Sequence, residues 1–138
     1  MIKTYRPPTI LLVSKNQEII DSTRMSLNDV DLLNLVEEKI SSRVLSKAIV
    51  NTQPDLVLLD FDNLKQPFYL VYKLASEYPM YPSIAILPES KKAQADRVVQ
   101  AGASAYTLFP YASPDELMAT IGEYGPFSKG VETQGAIN

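Results

Sequence analysis

Five short apolar runs that alternate with stretches of helical periodicity constrain this sequence more than any other feature. The runs occupy residues 10–13, 33–36, 56–59, 83–87 and 105–109. Continuous apolar runs of about four to eight residues are typical of strands that are buried on both faces of a sheet. Because each connection is long enough to contain a helix, the strands should be parallel, with helices covering both faces. The pattern predicts a doubly wound α/β domain of the (βα)₅ type.

Single residues predict where individual helices begin and end. Pro54 should end the second helix, because the residue before a proline avoids the α region. Gly102 is placed to cap the fourth helix. Ser113, Pro114 and Glu116 have the spacing of a capping box, in which the serine and glutamate side chains bind backbone N–H groups of the first turn.

The length of 138 residues predicts one domain. We expect an N-terminal extension at residues 1–8, the folded domain at 9–125 and a flexible C-terminal tail at 126–138. No apolar run approaches the ~18–20 residues that span a bilayer, and the first residues lack the hydrophobic stretch of a signal peptide. We therefore expect a cytoplasmic protein without a membrane partner.

The missing residue types exclude several classes of chemistry. The chain contains no cysteine and no histidine. This excludes disulfides, thiolate nucleophiles, histidine-dependent triads and metal sites built from cysteine or histidine. A metal site built from carboxylates stays open. The net charge of −3 disfavours nucleic acid as a direct partner, because such binding relies on basic surface.

Polar residues at the ends of the apolar runs are the first candidates for a site, because parallel sheets bind ligands beyond the carboxyl ends of their strands. Ser14 and Lys15 follow the first run, Asp60 follows the third, and Asp62 lies two residues further on. One interpretation is purely structural, with Asp60 capping the turn after its strand. The spacing of Asp60 and Asp62 also occurs in metal-dependent enzymes, but a lone pair of this kind is a weak signal.

Residues 54–60 (PDLVLLD) resemble the strand that carries the phosphoacceptor aspartate in receiver domains of two-component response regulators. Residues 100–106 (QAGASAY), Pro110 and residues 113–117 (SPDEL) resemble the fourth helix, fifth strand and fifth helix of that family. The resemblance covers about residues 9–125. It implies the flavodoxin-like fold, a doubly wound five-stranded parallel sheet in the order 2-1-3-4-5.

The resemblance makes Asp60 the candidate phosphoacceptor, but the metal-binding pattern departs from the family. Receivers hold Mg²⁺ with an acidic pair after the first strand, where this chain has Ser14 and Lys15. A backbone carbonyl two residues after the acceptor also binds the metal in receivers, which places Asp62 in that role. We expect no cofactor, with Mg²⁺ required only if Asp60 is phosphorylated.

The two phosphoryl-binding side chains of the family are also replaced. Leu87 stands where receivers carry a serine or threonine, and Phe109 stands where they carry a lysine. Tyr106 matches the aromatic residue that changes position when receivers are activated. These departures predict a degenerate pocket and inefficient phosphorylation of Asp60. As a hypothesis, the ammonium of Lys15 takes the place of the metal and pairs with Asp60, whereas Lys91 is expected only to solvate the start of the fourth helix.

The function that these observations predict is an atypical receiver, or pseudo-receiver, which is not an enzyme and acts in signal transduction through protein partners. It would act on separate partners or as the receiver portion of a longer protein. The resemblance implies contact, including self-association into a homodimer, through the face formed by the fourth helix, fifth strand and fifth helix. A second candidate surface holds the tyrosines around the third helix, at positions 69, 72, 78 and 81.

Three alternatives stay open. Asp60 could be a true phosphoacceptor with Asp62, Glu89 and Lys15 as unconventional helpers. The chain is also similar to the degenerate receivers that precede ATPase domains in pilus-assembly localisation proteins of the CpaE/TadZ type. A small-ligand binder of flavodoxin type is disfavoured, because the loop after the first strand has no glycine with which to cradle a phosphate.

Overall fold

The structure is a computed structural model that describes residues 7–128 of the chain. Strands and helices alternate along these residues. The strands are β1 (Thr9–Val13), β2 (Asp31–Leu35), β3 (Leu56–Asp60), β4 (Ser83–Pro88) and β5 (Ala105–Phe109). The helices are α1 (Gln17–Ser26), α2 (Ser42–Thr52), α3 (Pro67–Glu77), α4 (Ala95–Ala101) and α5 (Pro114–Ile121).

All five strands pair in parallel in one sheet, in the order β2-β1-β3-β4-β5. This confirms the predicted doubly wound sheet and its strand order. The two strands with the strongest apolar runs, β1 and β3, are neighbours at the centre of the sheet, where Val13 pairs with Leu59. Their carboxyl ends therefore lie side by side at one edge, which is the position that the strand pattern predicts for a site.

Successive residues of each central strand enter two different hydrophobic cores. In β1, Leu11 and Val13 pack on the face that α2, α3 and α4 cover, whereas Ile10 and Leu12 pack on the face that α1 and α5 cover. All four side chains are buried. Burial on both faces explains why these strands are continuous apolar runs rather than alternating patterns.

The helix boundaries follow the sequence at some positions and not at others. Gly102 ends α4 as predicted, with a positive φ of 138°. The predicted capping box at α5 is wrong, because Ser113 makes no side-chain cap bond. The carboxylate of Glu116 instead accepts hydrogen bonds from the Ala112 amide at 3.1 Å and the buried Thr107 hydroxyl at 3.2 Å. A buried hydroxyl needs a partner, and this need redirects the glutamate.

The ends of the described chain extend the domain slightly beyond its expected limits. Residues Gly125–Ser128 form a 3₁₀ turn, in which Phe127 packs against the core beneath α1 and α5. Residues 1–6 of the expected extension and 129–138 of the expected tail lie outside the described residues. Within residues 7–128, no helix combines the length and apolar character that a membrane span requires.

Gly102 provides a test of how closely α3 and α4 pack. A Cβ at this position would lie 2.7 Å from Ala75 Cβ and 3.1 Å from the Val71 carbonyl oxygen, and the positive φ would be strained for any L side chain. We expect Gly102→Ala to lower the free energy of unfolding by about 1–3 kcal/mol, measured by urea denaturation. Gly122→Ala is the control, because its φ of −59° suits alanine and the atom nearest to a Cβ there would be the Met118 carbonyl oxygen at 3.1 Å. Its cost should stay below about 1 kcal/mol. Equal effects of the two substitutions would contradict this account.

Candidate functional site

The candidate site is built where β1 and β3 end beside each other. Asp60 is the last residue of β3, and Ser14 directly follows β1. The Ser14 hydroxyl donates a hydrogen bond to Asp60 Oδ2 at 2.8 Å. Both residues are buried, with Ser14 0% and Asp60 6% exposed. The structure thus brings together two of the residues that the sequence singled out, and the contact between them is one that sequence reasoning missed.

The position of Ser14 is fixed from several directions. Its Oγ accepts a hydrogen bond from the Asn16 amide at 3.1 Å, which leaves its own proton for Asp60. Its backbone N–H donates to the Leu35 carbonyl, and its carbonyl accepts from Asn34 Nδ2 at 3.3 Å. Ser14 is therefore a structural partner of the aspartate.

The second oxygen of Asp60 performs the ordinary capping role that was weighed as an alternative. Asp60 Oδ1 accepts a hydrogen bond from the Asp62 amide at 3.2 Å and so caps the 3₁₀ turn Phe61–Asn63. Both carboxylate oxygens are therefore used within the fold. Asp60 therefore caps this turn and also occupies the position of the candidate phosphoacceptor.

Burial raises the pKa of the Asp60 carboxyl above its ordinary value, because desolvation penalises the charged form. The hydrogen bonds from Ser14 and from the Asp62 amide lower this pKa, and so does the charge of Lys39. The charge of Asp62 raises it further, and the balance of all these effects is a raised pKa of Asp60. The pocket therefore holds a carboxylate that is hydrogen-bonded but poorly solvated.

Three lysines lie around the pocket, and Lys15, which was predicted to pair with Asp60, does not do so. Lys15 pairs with Glu38 on the loop after β2, which lowers the pKa of Glu38, so the hypothesis that Lys15 takes the place of a metal is wrong. Lys39 Nζ donates to the backbone carbonyl of Asp62 at 2.6 Å. Lys91 forms an ion pair with the Asp62 carboxylate and so does more than solvate the start of α4.

Sequence reasoning missed Lys39 because it lies in no recognisable motif. The only available signal was its position in the loop after β2, the strand next to β1. Sequence patterns do not give the path of such a loop, which depends on tertiary contacts.

Leu87 and Phe109 lie at the ends of neighbouring strands but on opposite faces of the sheet. Leu87 is fully buried in the core beneath α2, α3 and α4. Phe109 packs on the α1 and α5 side, where its ring meets that of Tyr111 edge to face at 5.2 Å. Neither residue carries a hydrogen-bond donor on its side chain, so the hydroxyl and ammonium that the resemblance implies at these two strand ends are both absent.

Tyr111 is a further residue near the pocket that the sequence did not single out. Its hydroxyl makes a 2.8 Å hydrogen bond with Thr23 of α1. Burial raises the pKa of Tyr111 to about 12, and the nearby charges of Asp60 and Glu116 act in the same direction. Tyr111 is thus a neutral, hydrogen-bonded side chain that helps to seal the α1 and α5 side of the pocket.

Tyr106 lies away from the pocket. It is 38% exposed on β5 and lines a groove of about 610 Å³ that it shares with residues of α4 and α5. Val99 of α4 is 40% exposed and lines the same groove.

Several solved structures that superpose on this chain are receiver domains. A receiver domain of a two-component response regulator from Bacteroides fragilis aligns with a TM-score of 0.68 at 19% identity, covering 84% of this chain and 94% of that one. The receiver domain of AraT, a response regulator from Geobacillus stearothermophilus, aligns with a TM-score of 0.72 at 13% identity, covering 94% and 98%. This chain has the receiver-domain fold.

The receiver fold also forms part of longer proteins. NtrX from Brucella abortus aligns with a TM-score of 0.71 at 19% identity, where this chain matches 94% of its own length but only 29% of NtrX. No family model and no curated protein matches the sequence. At these identities the likeness establishes the fold alone.

The pocket of this receiver fold fits a divalent metal poorly. Mg²⁺ prefers carboxylate oxygens, phosphate oxygens and water in an octahedral arrangement. Within residues 7–128, no group of three or more acidic side chains is placed to hold a metal. The Asp62 carbonyl already accepts a hydrogen bond from an ammonium, and both oxygens of Asp60 accept bonds from the fold.

The raised pKa of Asp60 predicts a pH dependence of stability. Because the pKa is higher in the folded chain than in the unfolded chain, this group favours folding most at low pH, and that contribution is lost as the pH rises through the folded pKa. The free energy of unfolding of Asp60→Asn minus that of the natural chain should therefore become more positive as the pH rises from about 4 to about 7. Urea denaturation at several pH values measures this difference.

Asp21→Asn, an exposed substitution on α1, is the control for loss of one surface carboxylate. If the two variants show the same pH profile, the burial of Asp60 does not govern its titration.

Proposed function

We propose that this chain is an atypical receiver that acts in signal transduction by binding other proteins, without magnesium-dependent phosphorylation of Asp60 and without enzymatic activity of its own. The main support is that the side chains at the ends of β4 and β5 are apolar and pack into the cores. Leu87 is buried in one core and Phe109 packs against the other, so neither contributes a polar group beside Asp60.

Phosphoryl transfer depends on groups that this chain replaces, with Leu87 and Phe109 where receivers carry a hydroxyl and an ammonium. The reaction is accelerated mainly by positioning and by cations and hydrogen-bond donors that neutralise charge on the phosphoryl oxygens. A phosphoryl group on Asp60 would carry new negative charge toward apolar side chains. It would also displace the Ser14 hydroxyl or the Asp62 amide from a carboxylate oxygen.

The alternative in which Asp62, Glu89 and Lys15 assist phosphorylation has less support. The ammonium of Lys15 is directed to Glu38, and the carboxylate of Asp62 is paired with Lys91. Each of these contacts would have to break before the side chain reached a phosphoryl group on Asp60.

The surface that we propose for partner binding is the groove between α4, β5 and α5, here called the α4–α5 groove. Its apolar part includes two side chains that are well exposed, Tyr106 and Val99. Exposed aromatic side chains are enriched at protein interfaces, because they bury much area at low entropic cost. The remaining lining residues are Glu89, Lys92, Ala105, Thr107, Leu108, Pro110, Ala112, Glu116, Thr120 and Glu123.

Self-association is one use of the α4–α5 groove. A two-fold symmetric dimer would place the Tyr106 ring of each copy against the same patch of its partner, which suits a self-complementary apolar surface. The same groove would serve a different protein partner if the copies do not associate.

Intact mass measured after incubation with acetyl phosphate and Mg²⁺ tests the proposed loss of phosphorylation. We expect no phosphoryl adduct on the natural chain, because an acidic pair after β1 is missing and Leu87 and Phe109 replace the hydroxyl and ammonium that stabilise the reaction in receivers. A working receiver domain in the same reaction controls for the reagent, and circular dichroism controls for folding. An adduct that disappears in Asp60→Ala would overturn the proposal and make the chain a phosphorylated switch.

Two tyrosine substitutions test the dimer surface. We expect Tyr106→Glu to weaken self-association at least about ten-fold, since a charge would enter the centre of the interface. Tyr72→Glu is the matched control, because Tyr72 is 60% exposed on α3 outside the α4–α5 groove. Sedimentation velocity at several protein concentrations measures both variants. A dimer that is disrupted by Tyr72→Glu alone would place the interface on the tyrosine-rich surface of α3.

A further inference from the structure

Asp62 is held from two sides by lysines of two different loops. From the loop after β2, Lys39 Nζ donates to the Asp62 carbonyl oxygen at 2.6 Å. From the 3₁₀ turn after β4, Lys91 pairs with the Asp62 carboxylate. Asp62 is itself joined to Asp60 through its backbone amide. The ammonium groups of Lys39 and Lys91 therefore lie beside the 3₁₀ turn that the buried Asp60 carboxylate caps.

The position of Lys39 is fixed by the backbone on its C-terminal side. The next residue, Ile40, is fully buried, and its amide donates to the Asn63 carbonyl at 3.0 Å. The Ile40 carbonyl accepts from the Lys65 amide at 2.9 Å, which completes a parallel bridge between the two loops. Lys39 thus projects from a point that is tied directly to the turn carrying Asp62.

Side-chain hydrogen bonds also link the loop after β2 to the turn after β3. Asn63 is buried, and its Nδ2 donates to the carbonyls of Glu37 at 3.0 Å and Glu38 at 2.8 Å. The loop after β2 is therefore anchored on both sides of Lys39. This anchoring fixes the point from which the exposed Lys39 side chain extends toward Asp62.

The charges in this region balance without a metal. Asp60 and Asp62 supply two carboxylates, and Lys39 and Lys91 supply two ammonium groups. The charge of Lys39 acts on Asp60 as well as on the oxygen that it contacts. A divalent ion that approached the Asp60 carboxylate and the Asp62 carbonyl would meet a cation already bound to one of these oxygens, and like charges at such short range repel strongly.

We propose that Lys39 is the resident cation of the Asp60 pocket, where its ammonium holds the Asp62 carbonyl and excludes a divalent metal ion. This inference rests on the proposed function, in which the pocket works without magnesium, and it assigns that property to one side chain. The inference also distinguishes two reasons why the pocket would not bind a metal ion. The absence of an acidic pair after β1 would by itself leave the Asp62 carbonyl free, whereas the Lys39 ammonium occupies that carbonyl.

A set of four chains tests the proposal: the natural protein, Lys15→Asp, Lys39→Met and the double variant. Lys15→Asp adds a carboxylate at the end of β1, and Lys39→Met removes the ammonium while keeping most of the apolar stem. Binding of Mn²⁺, measured from the free-ion signal in electron paramagnetic resonance, is the readout. We expect the double variant to bind Mn²⁺ at least ten-fold more tightly than Lys15→Asp, and the binding to be lost when Asp60→Asn is added.

Two controls keep the result specific. The combination of Lys15→Asp with Lys47→Met removes an exposed lysine from α2 and should bind Mn²⁺ no better than Lys15→Asp alone. Circular dichroism of each chain confirms folding before titration.

The failure of this inference is distinguishable from the failure of the proposed function. If the double variant binds Mn²⁺ no more tightly than Lys15→Asp, the Lys39 ammonium is not the barrier and the inference is overturned, while the proposed function stands. If the natural protein itself binds Mn²⁺ in a manner abolished by Asp60→Asn, both the resident cation and the metal-free function are overturned.

Discussion

The hydrogen bond between Ser14 and Asp60 is the contact on which the rest of the site depends. It joins the carboxyl ends of the two central strands, and it lies where a carboxylate is almost completely removed from water. A buried carboxylate is costly unless its oxygens accept hydrogen bonds. Ser14 satisfies one oxygen and the Asp62 amide satisfies the other, which fixes the turn after β3. The same turn places Asp62 next to the lysines of the neighbouring loops.

Much of the fold was predictable from the sequence, because burial on both faces produces a strong signal. The residues of β1 and β3 are apolar without interruption, and they supply both cores at once. Where prediction was wrong, a tertiary partner overrode a local pattern. Glu116 completes no capping box because the buried Thr107 hydroxyl binds it.

The candidate site was predictable in part, and the limit has a physical cause. The positions of Ser14 and Asp60 follow from the strand ends, which the sheet geometry determines. The contacts of the lysines depend on the paths of loops and on long side chains with many rotamers. Lys15 and Lys39 carry the same charge near the same pocket, and only the bridge through Ile40 brings Lys39 rather than Lys15 to the turn.

The apolar side chain of Leu87 also bears on whether the pocket can influence the α4–α5 groove. A pocket can change a distant surface only if some group has two arrangements with different contacts. Leu87 is packed in the core and has no hydroxyl that a ligand on Asp60 could draw inward. Tyr106, which lies across the sheet edge in the groove, therefore has no polar partner to follow. On the proposed function, the groove is a binding surface of constant shape, and control of signalling resides in the supply of its partner rather than in the charge state of Asp60.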